Sequence, residues 1–223
     1  MKRITWLLCA IVLISGCSSV STEDSDETQE SSLEPAELVD FDAEVEVEKV
    51  WSNRGVGDLD WVGGNLKPLL ANDVIYAADS SGHVIAVSAV DGDTLWKIDL
   101  DAPLSGGVGV SGNSVLVGSI DGEVFSLDAS SGEQQWKTNV TSEVLASPAG
   151  NGRVVVVQAQ DASLVGLDAA TGEQRWKFQL RVPILTLRGN SSPIVDGRMV
   201  IASFANGKIY GIEIDSGTQL WET

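Results

Sequence analysis

The sequence predicts an all-β protein built as a β-propeller, and three observations carry that prediction. Four tryptophans recur at near-constant spacing: Trp96, Trp136, Trp176 and Trp221, separated by 40, 40 and 45 residues. Each ends a set of short apolar runs broken by turn residues, about four runs per copy, which is the content of one propeller blade. No segment beyond the first seventeen residues sustains helical periodicity.

The copies overlay without gaps. Four residues before each tryptophan stands Gly92, Gly132, Gly172 or Gly217. Nine before it stands Val87, Leu127, Leu167 or Ile212, and ten before it a small residue, Ala86, Ser126, Gly166 or Gly211. Small residues there are expected to suit a crowded centre. Fourteen before it come Gly82, Gly122, Ala162 and Gly207. Glycines at hairpins supply positive φ, a conformation that Ala162 tolerates less well. "KPLLA", "GGVGVS", "ASPAG" and "SPIVDG" supply the first strand of each set. Adjacent blades pack face to face, so each tryptophan on an outermost strand is expected to seal against the next blade.

Trp51 stands 45 residues before Trp96 with no inner strands ahead of it. It is read as a closing strand of a blade begun elsewhere. The count is therefore about four blades plus one closing strand over residues 45–223.

The start of the chain reads as an address. Lys2 and Arg3 precede an apolar run from Trp6 to Ile14, too short to span a ~30 Å hydrocarbon layer. Ile14-Ser15-Gly16-Cys17 matches a bacterial lipobox, so residues 1–16 are expected to be a lipoprotein signal peptide and Cys17 the acylated residue. Several acyl chains at about 0.8 kcal/mol per buried methylene anchor a protein without a spanning helix. Residues 18–50 hold twelve acids and one base. Residues 17–44 accordingly read as the acylated cysteine and a solvated acidic tether.

Composition excludes several function classes. The chain has 223 residues and a formal charge of −18, which opposes binding to nucleic-acid phosphates. Its two cysteines, Cys9 and Cys17, precede the globular part, which so lacks any disulfide or thiol site. A single histidine, His83, excludes a metal site built on several imidazoles. His83 is expected at the surface. Asp91, Asp93, Asp128, Asp168 and Asp215 fall at turns, where aspartate bonds its own backbone. No catalytic residue, metal ligand or cofactor is assigned, and "GGVGVSGN" lacks the strand-to-helix context of a phosphate cradle.

"LDASSGEQQW" (127–136) and "LDAATGEQRW" (167–176) resemble the docking motif of quinoprotein-like eight-bladed propellers. Together with the lipobox and "LTLRGNSSP" (185–193), they resemble the BamB family of outer-membrane assembly lipoproteins, from about Val45 to the end. The resemblance implies four-stranded quinoprotein-like blades, about half of an eight-bladed ring, in a fragment or a truncated chain. It implies a non-enzymatic scaffold, lipid-anchored at the periplasmic face of the outer membrane, that binds BamA and assists nascent β-barrel proteins. It also gives the apolar stretch around Leu185, Leu187 and Arg188 a role as the BamA contact. Two alternatives share the motif. A pyrroloquinoline-quinone dehydrogenase needs a catalytic Asp, acid and amide groups holding Ca²⁺ near the axis and commonly a vicinal disulfide, and the cysteine-free body departs from this. A propeller sensing a small ligand or envelope polymer is the other.

Overall fold

A computed structural model describes residues 45, 47–57, 65–181 and 190–223. The chain divides into two units, Met1–Val47 and Glu48–Thr223. The first lies almost wholly outside the described residues, and with it Cys17 and the acidic stretch expected to be a tether. No helix among the described residues is long and apolar enough to cross a membrane.

Among its described residues the second unit is built of β-strands and turns. It opens with β1 (Asn65–Leu66). The first blade follows as β2 (Leu69–Ala71), β3 (Val74–Ala78), β4 (His83–Ser88) and β5 (Thr94–Asp99). The second is β6 (Leu104–Ser111), β7 (Ser114–Ser119), β8 (Glu123–Asp128) and β9 (Gln134–Asn139). The third is β10 (Ala149–Gly150), β11 (Val154–Gln158), β12 (Ser163–Asp168) and β13 (Gln174–Gln179). The fourth is β14 (Ile194–Asp196), β15 (Met199–Ser203), β16 (Ile209–Glu213) and β17 (Gln219–Glu222). Within each blade consecutive strands pair antiparallel, the meander expected from four apolar runs joined by tight turns.

Runs such as "VVVVQ" in β11 are buried throughout, because a central strand in a stack of sheets meets a neighbour on both faces. Three clusters form the core, one at each joint between successive blades. Tyr76, Val84 and Trp96 meet Val115, Phe125 and Leu127 at the first. Trp136 and Leu116 meet Val155, Val165 and Leu167 at the second. Leu164 and Trp176 meet Val200, Tyr210 and Ile212 at the third.

A bulge recurs in every blade between its last two strands, at Ala86/Val87, Ser126/Leu127, Gly166/Leu167 and Gly211/Ile212. It leaves one residue of the outer strand without a partner and turns the tryptophan beside it across the sheet. The pairing gives a reason for glycine ten before two of the tryptophans. Gly166 pairs directly with Trp176. A Cβ on Gly166 would lie 2.1 Å from the indole, and Gly211 stands in the same relation to Trp221. There the indole lies over its cross-strand partner.

Crowding does explain "GGVGVS". A Cβ on Gly109 would lie 1.9 Å from the Pro148 carbonyl, and one on Gly106 would lie 2.5 Å from that of Val144. The first strands of the second and third blades thus approach backbone to backbone. On the edge of β6 the structure adds a strand the sequence did not announce. β1 runs parallel to it, Asn65 opposite Gly106, and Lys67 N–H donates to Gly107 O at 2.8 Å. The second blade therefore has five strands.

Around Trp51 the structure differs from expectation. Residues 47–55 carry no strand pairing, so what reaches the first blade there is side chain rather than ladder.

Candidate functional site: the tryptophan joints

Each joint is one construction repeated. The Trp96 indole N–H donates to Ala129 O at 2.9 Å, that of Trp136 to Ala169 O at 2.9 Å, and that of Trp176 to Ile214 O at 2.7 Å. Trp51 does the same toward Ala89 O at 3.1 Å. Every acceptor stands seven residues before its own blade's tryptophan, in the turn that the motif glycine closes.

That glycine forms the floor. A Cβ on Gly92 would lie 2.7 Å from the Trp51 ring, and Gly132 and Gly172 stand equally close to Trp96 and Trp136. At Gly217 the approach to Trp176 is 2.6 Å. All four glycines also have positive φ, between 71° and 81°. The requirement is double, for a backbone turn and for room under an indole. Trp96, Trp136 and Trp176 are 7–8% exposed, whereas Trp221 is 38% exposed.

The turn aspartates hold these floors in shape. Asp128 Oδ1 accepts from the amides of Ser130 and Ser131, and Asp168 Oδ1 from those of Ala170 and Thr171. The Ser130 hydroxyl and amide keep the Asp128 carboxyl below its usual range. The Ala170 amide is the main cause at Asp168. Asp91 caps Asp93 N–H in the same way, and Asp215 faces Arg153 at 3.4 Å across the third joint.

His83 is not free at the surface. It is half-buried, and its Nδ1 lies 2.9 Å from Asp79 Oδ2. Asp79 is fully buried and also accepts from the amides of Ser81, His83 and Gly57. Burial raises its pKa, but the Gly57 and His83 hydrogen bonds outweigh that and the carboxyl ends below its usual value. Sequence reading missed Asp79. Its signal was a lone acid where the other copies place Ser119, Ala159 and Phe204.

Leu185, Leu187 and Arg188 lie outside the described residues. The chain beyond them is tied down by serines: Ser147 N–H donates to Ser192 Oγ at 3.1 Å, and the Ser191 and Ser203 hydroxyls lie 2.6 Å apart. Among the described residues no group of three or more His, Cys, Asp or Glu could hold a metal ion. Two open cavities of about 360 Å³ lie over the first two joints, lined by residues such as Tyr76, Leu95, Asn113 and Gln135 without a charged side chain. The joints are packing devices that hold a surface in place.

Comparison with known proteins agrees with this geometry. The family model described as outer membrane protein assembly factor BamB matches residues 80–223. The BamB of Pseudomonas aeruginosa is 46% identical over 115 residues, 51% of this chain and 28% of that protein. The BamB of Escherichia coli is 34% identical over 125 residues, 50% of this chain and 30% of that protein. The chain thus matches less than a third of the length of these curated relatives. The crystal structure of BamB from Moraxella catarrhalis superposes with a TM-score of 0.64 at 27% identity, over 71% of this chain and 47% of that one. A quinohemoprotein alcohol dehydrogenase from Pseudomonas putida superposes with a TM-score of 0.56 at 18% identity, over 70% of this chain and 33% of that one, a likeness of fold alone.

Proposed function

This chain belongs to the family of outer membrane protein assembly factor BamB, and from that membership we propose that it is a non-enzymatic scaffold of the β-barrel assembly machinery. It is held at the periplasmic face of the outer membrane by acyl chains on Cys17. It binds BamA and assists the folding and insertion of nascent β-barrel proteins.

The match of residues 80–223 to the family is the observation that carries this reading. The relatives are named assembly factors, and a body made of packing joints suits a scaffold. Leu185, Leu187 and Arg188 form the contact. Two apolar side chains beside a forked cation are the composition of a small hot spot, where a few residues dominate binding. An acidic stretch after an acylated Cys17 suits a solvated tether between the anchor and the body.

Co-purification from detergent-solubilised envelopes tests the reading. The chain should bring down BamA, and Leu187→Ala combined with Arg188→Ala should abolish this while circular dichroism stays unchanged. Undiminished capture by the double variant removes the contact from this loop. Replacing Cys17 with Ser should release the protein from the membrane fraction, and continued membrane retention would remove the anchor.

A further inference from the structure

The second blade departs from the repeat at four positions. Asn113 stands where the other copies have Asp73, Arg153 and Arg198, and Ser114 where they have Val74, Val154 and Met199. Ser126 replaces Ala86, Gly166 and Gly211, and Gln135 replaces Leu95, Arg175 and Leu220. Three of these form one network across the sheet. Ser114 on β7 and Ser126 on β8 both donate to Gln135 Oε1, at 2.8 and 2.9 Å. Ser126 is fully buried, and Gln135 is the β9 residue that the bulge leaves without a strand partner. Asn113 Nδ2 donates to Asp128 Oδ2 at 2.9 Å.

An amide oxygen accepts two hydrogen bonds, so Gln135 Oε1 is saturated. Its Nε2 keeps two N–H donors, with no partner among the described residues. Asn113 is the converse, because Nδ2 is tied down while Oδ1 has no donor among the described residues. Both line the cavity of about 360 Å³ between the second blade and the motif turn of the third. On its wall the buried Ser111 hydroxyl accepts from Gly152 N–H at 2.9 Å and keeps its own proton to donate. Gly112 and Asn113 also line the neighbouring cavity, walled by Val74, Tyr76, Leu95 and Val110. The two make one groove, polar at one end and apolar at the other. Leu95 is 55% exposed.

We propose that this groove binds an uncharged, extended segment of another polypeptide, one peptide group at Gln135 and Asn113 and an apolar side chain against Tyr76 and Leu95. A peptide group offers a carbonyl and an N–H together, the complement of the free donor and acceptor. Two hydroxyls already hold the Gln135 amide, so little side-chain freedom is lost on binding. No charged side chain lines the groove to pair with a charged ligand, and the chain's −18 opposes an acidic one. A glycan fits less well, since sugar rings rest on open aromatic faces and Tyr76 is 5% exposed. The groove lies beside the turns that lead into β9 and β13, whereas the stretch with Leu185, Leu187 and Arg188 follows β13 in the chain. The inference goes beyond the BamA contact and does not depend on it.

A capped octapeptide alternating leucine with serine and carrying an uncharged dye, titrated against the detergent-solubilised full chain and read by anisotropy, tests the proposal. Binding should saturate. Gln135→Glu keeps both serine hydrogen bonds but donates nothing, and its charge does not repel a neutral probe. It should weaken binding at least about fivefold while the melting temperature holds. Leu95→Ser, at an exposed position, should weaken it similarly, as should alanine for leucine in the peptide. The Leu187→Ala and Arg188→Ala double variant should bind as the unaltered chain does, so failure here is separable from failure of the BamA contact. Absence of saturable binding, undiminished binding by Gln135→Glu and Leu95→Ser, or loss of binding in the loop variant overturns the proposal. So does displacement of the peptide by a neutral chito-oligosaccharide, which would assign the groove to a glycan.

Discussion

The indole N–H of Trp176 donates to the carbonyl of Ile214 at 2.7 Å, 38 residues further on and inside the third joint. One bond thus links the outer strand of the third blade to the motif turn of the fourth. That bond recurs at each joint, beside the apolar cluster packed there. Trp176→Phe keeps most of the buried ring and deletes the donor. A buried carbonyl left unpaired costs about 1–3 kcal/mol, whereas Trp176→Ala adds a cavity and should cost about 3–5 kcal/mol. Urea unfolding should show the midpoint fall in that order with little change in slope. An unchanged midpoint in Trp176→Phe would mean that the hydrogen bond contributes nothing.

The motif glycines should be far more sensitive than other turn glycines. Gly132 has φ +75° and a Cβ there would meet the Trp96 ring at 2.7 Å. Gly197 has φ +58° with nothing within 4 Å. Gly132→Ala must both strain the backbone and push an indole out of a packed joint, so roughly 2–4 kcal/mol is expected. Gly197→Ala meets only the conformational penalty, about 1 kcal/mol. Thermal melts of the two variants, side by side, check the difference.

Much of this was legible because one unit is written four times. The register of Trp96, Trp136 and Trp176 against Gly132, Gly172 and Gly217 announced turns that need positive φ and tryptophans set to seal against the next blade. Repetition could not show that the partner is the preceding blade's indole, since contacts between copies leave no local pattern. Features unique to one copy were the ones missed. β1 is two residues long and pairs in parallel, with no alternation to betray it. Asp79 drew no reading at all, and the Gly57 amide that bonds it comes from chain 22 residues away. Trp51 was read as part of a strand, yet a tryptophan can dock without one when its own side chain makes the bond.

Ala162 tests how strictly the hairpin position demands glycine. It has φ +61°, where Gly82, Gly122 and Gly207 stand in the other copies, and its methyl is buried in the third joint. Ala162→Gly relieves about 1 kcal/mol of strain but gives up a buried methyl and loosens the unfolded chain by similar amounts. The net change should lie within about 1 kcal/mol of zero. Gly122→Ala has no such compensation, because the new Cβ would lie 2.9 Å from Ser142 O and 3.0 Å from Val140 O. It should destabilise clearly in the same melts.

Acid should weaken the body through two carboxylates. Burial opposes ionisation of Asp161, but the Ser163 and Thr141 hydroxyls, the Ser163 amide and Lys177 together hold its pKa below the usual value. Asp79 is lowered by the same kind of balance. A carboxyl whose folded pKa is depressed stabilises the protein fully above its unfolded pKa of ~3.9, and that stability is lost as pH falls toward the folded pKa. The melting temperature should therefore hold level from pH 7 to about 5 on their account and drop steeply below about 4. Asp161→Asn and Asp79→Asn should each lower the plateau and flatten the acid limb. A variant whose curve runs parallel to that of the unaltered chain at every pH would show that its carboxylate is not what acid attacks.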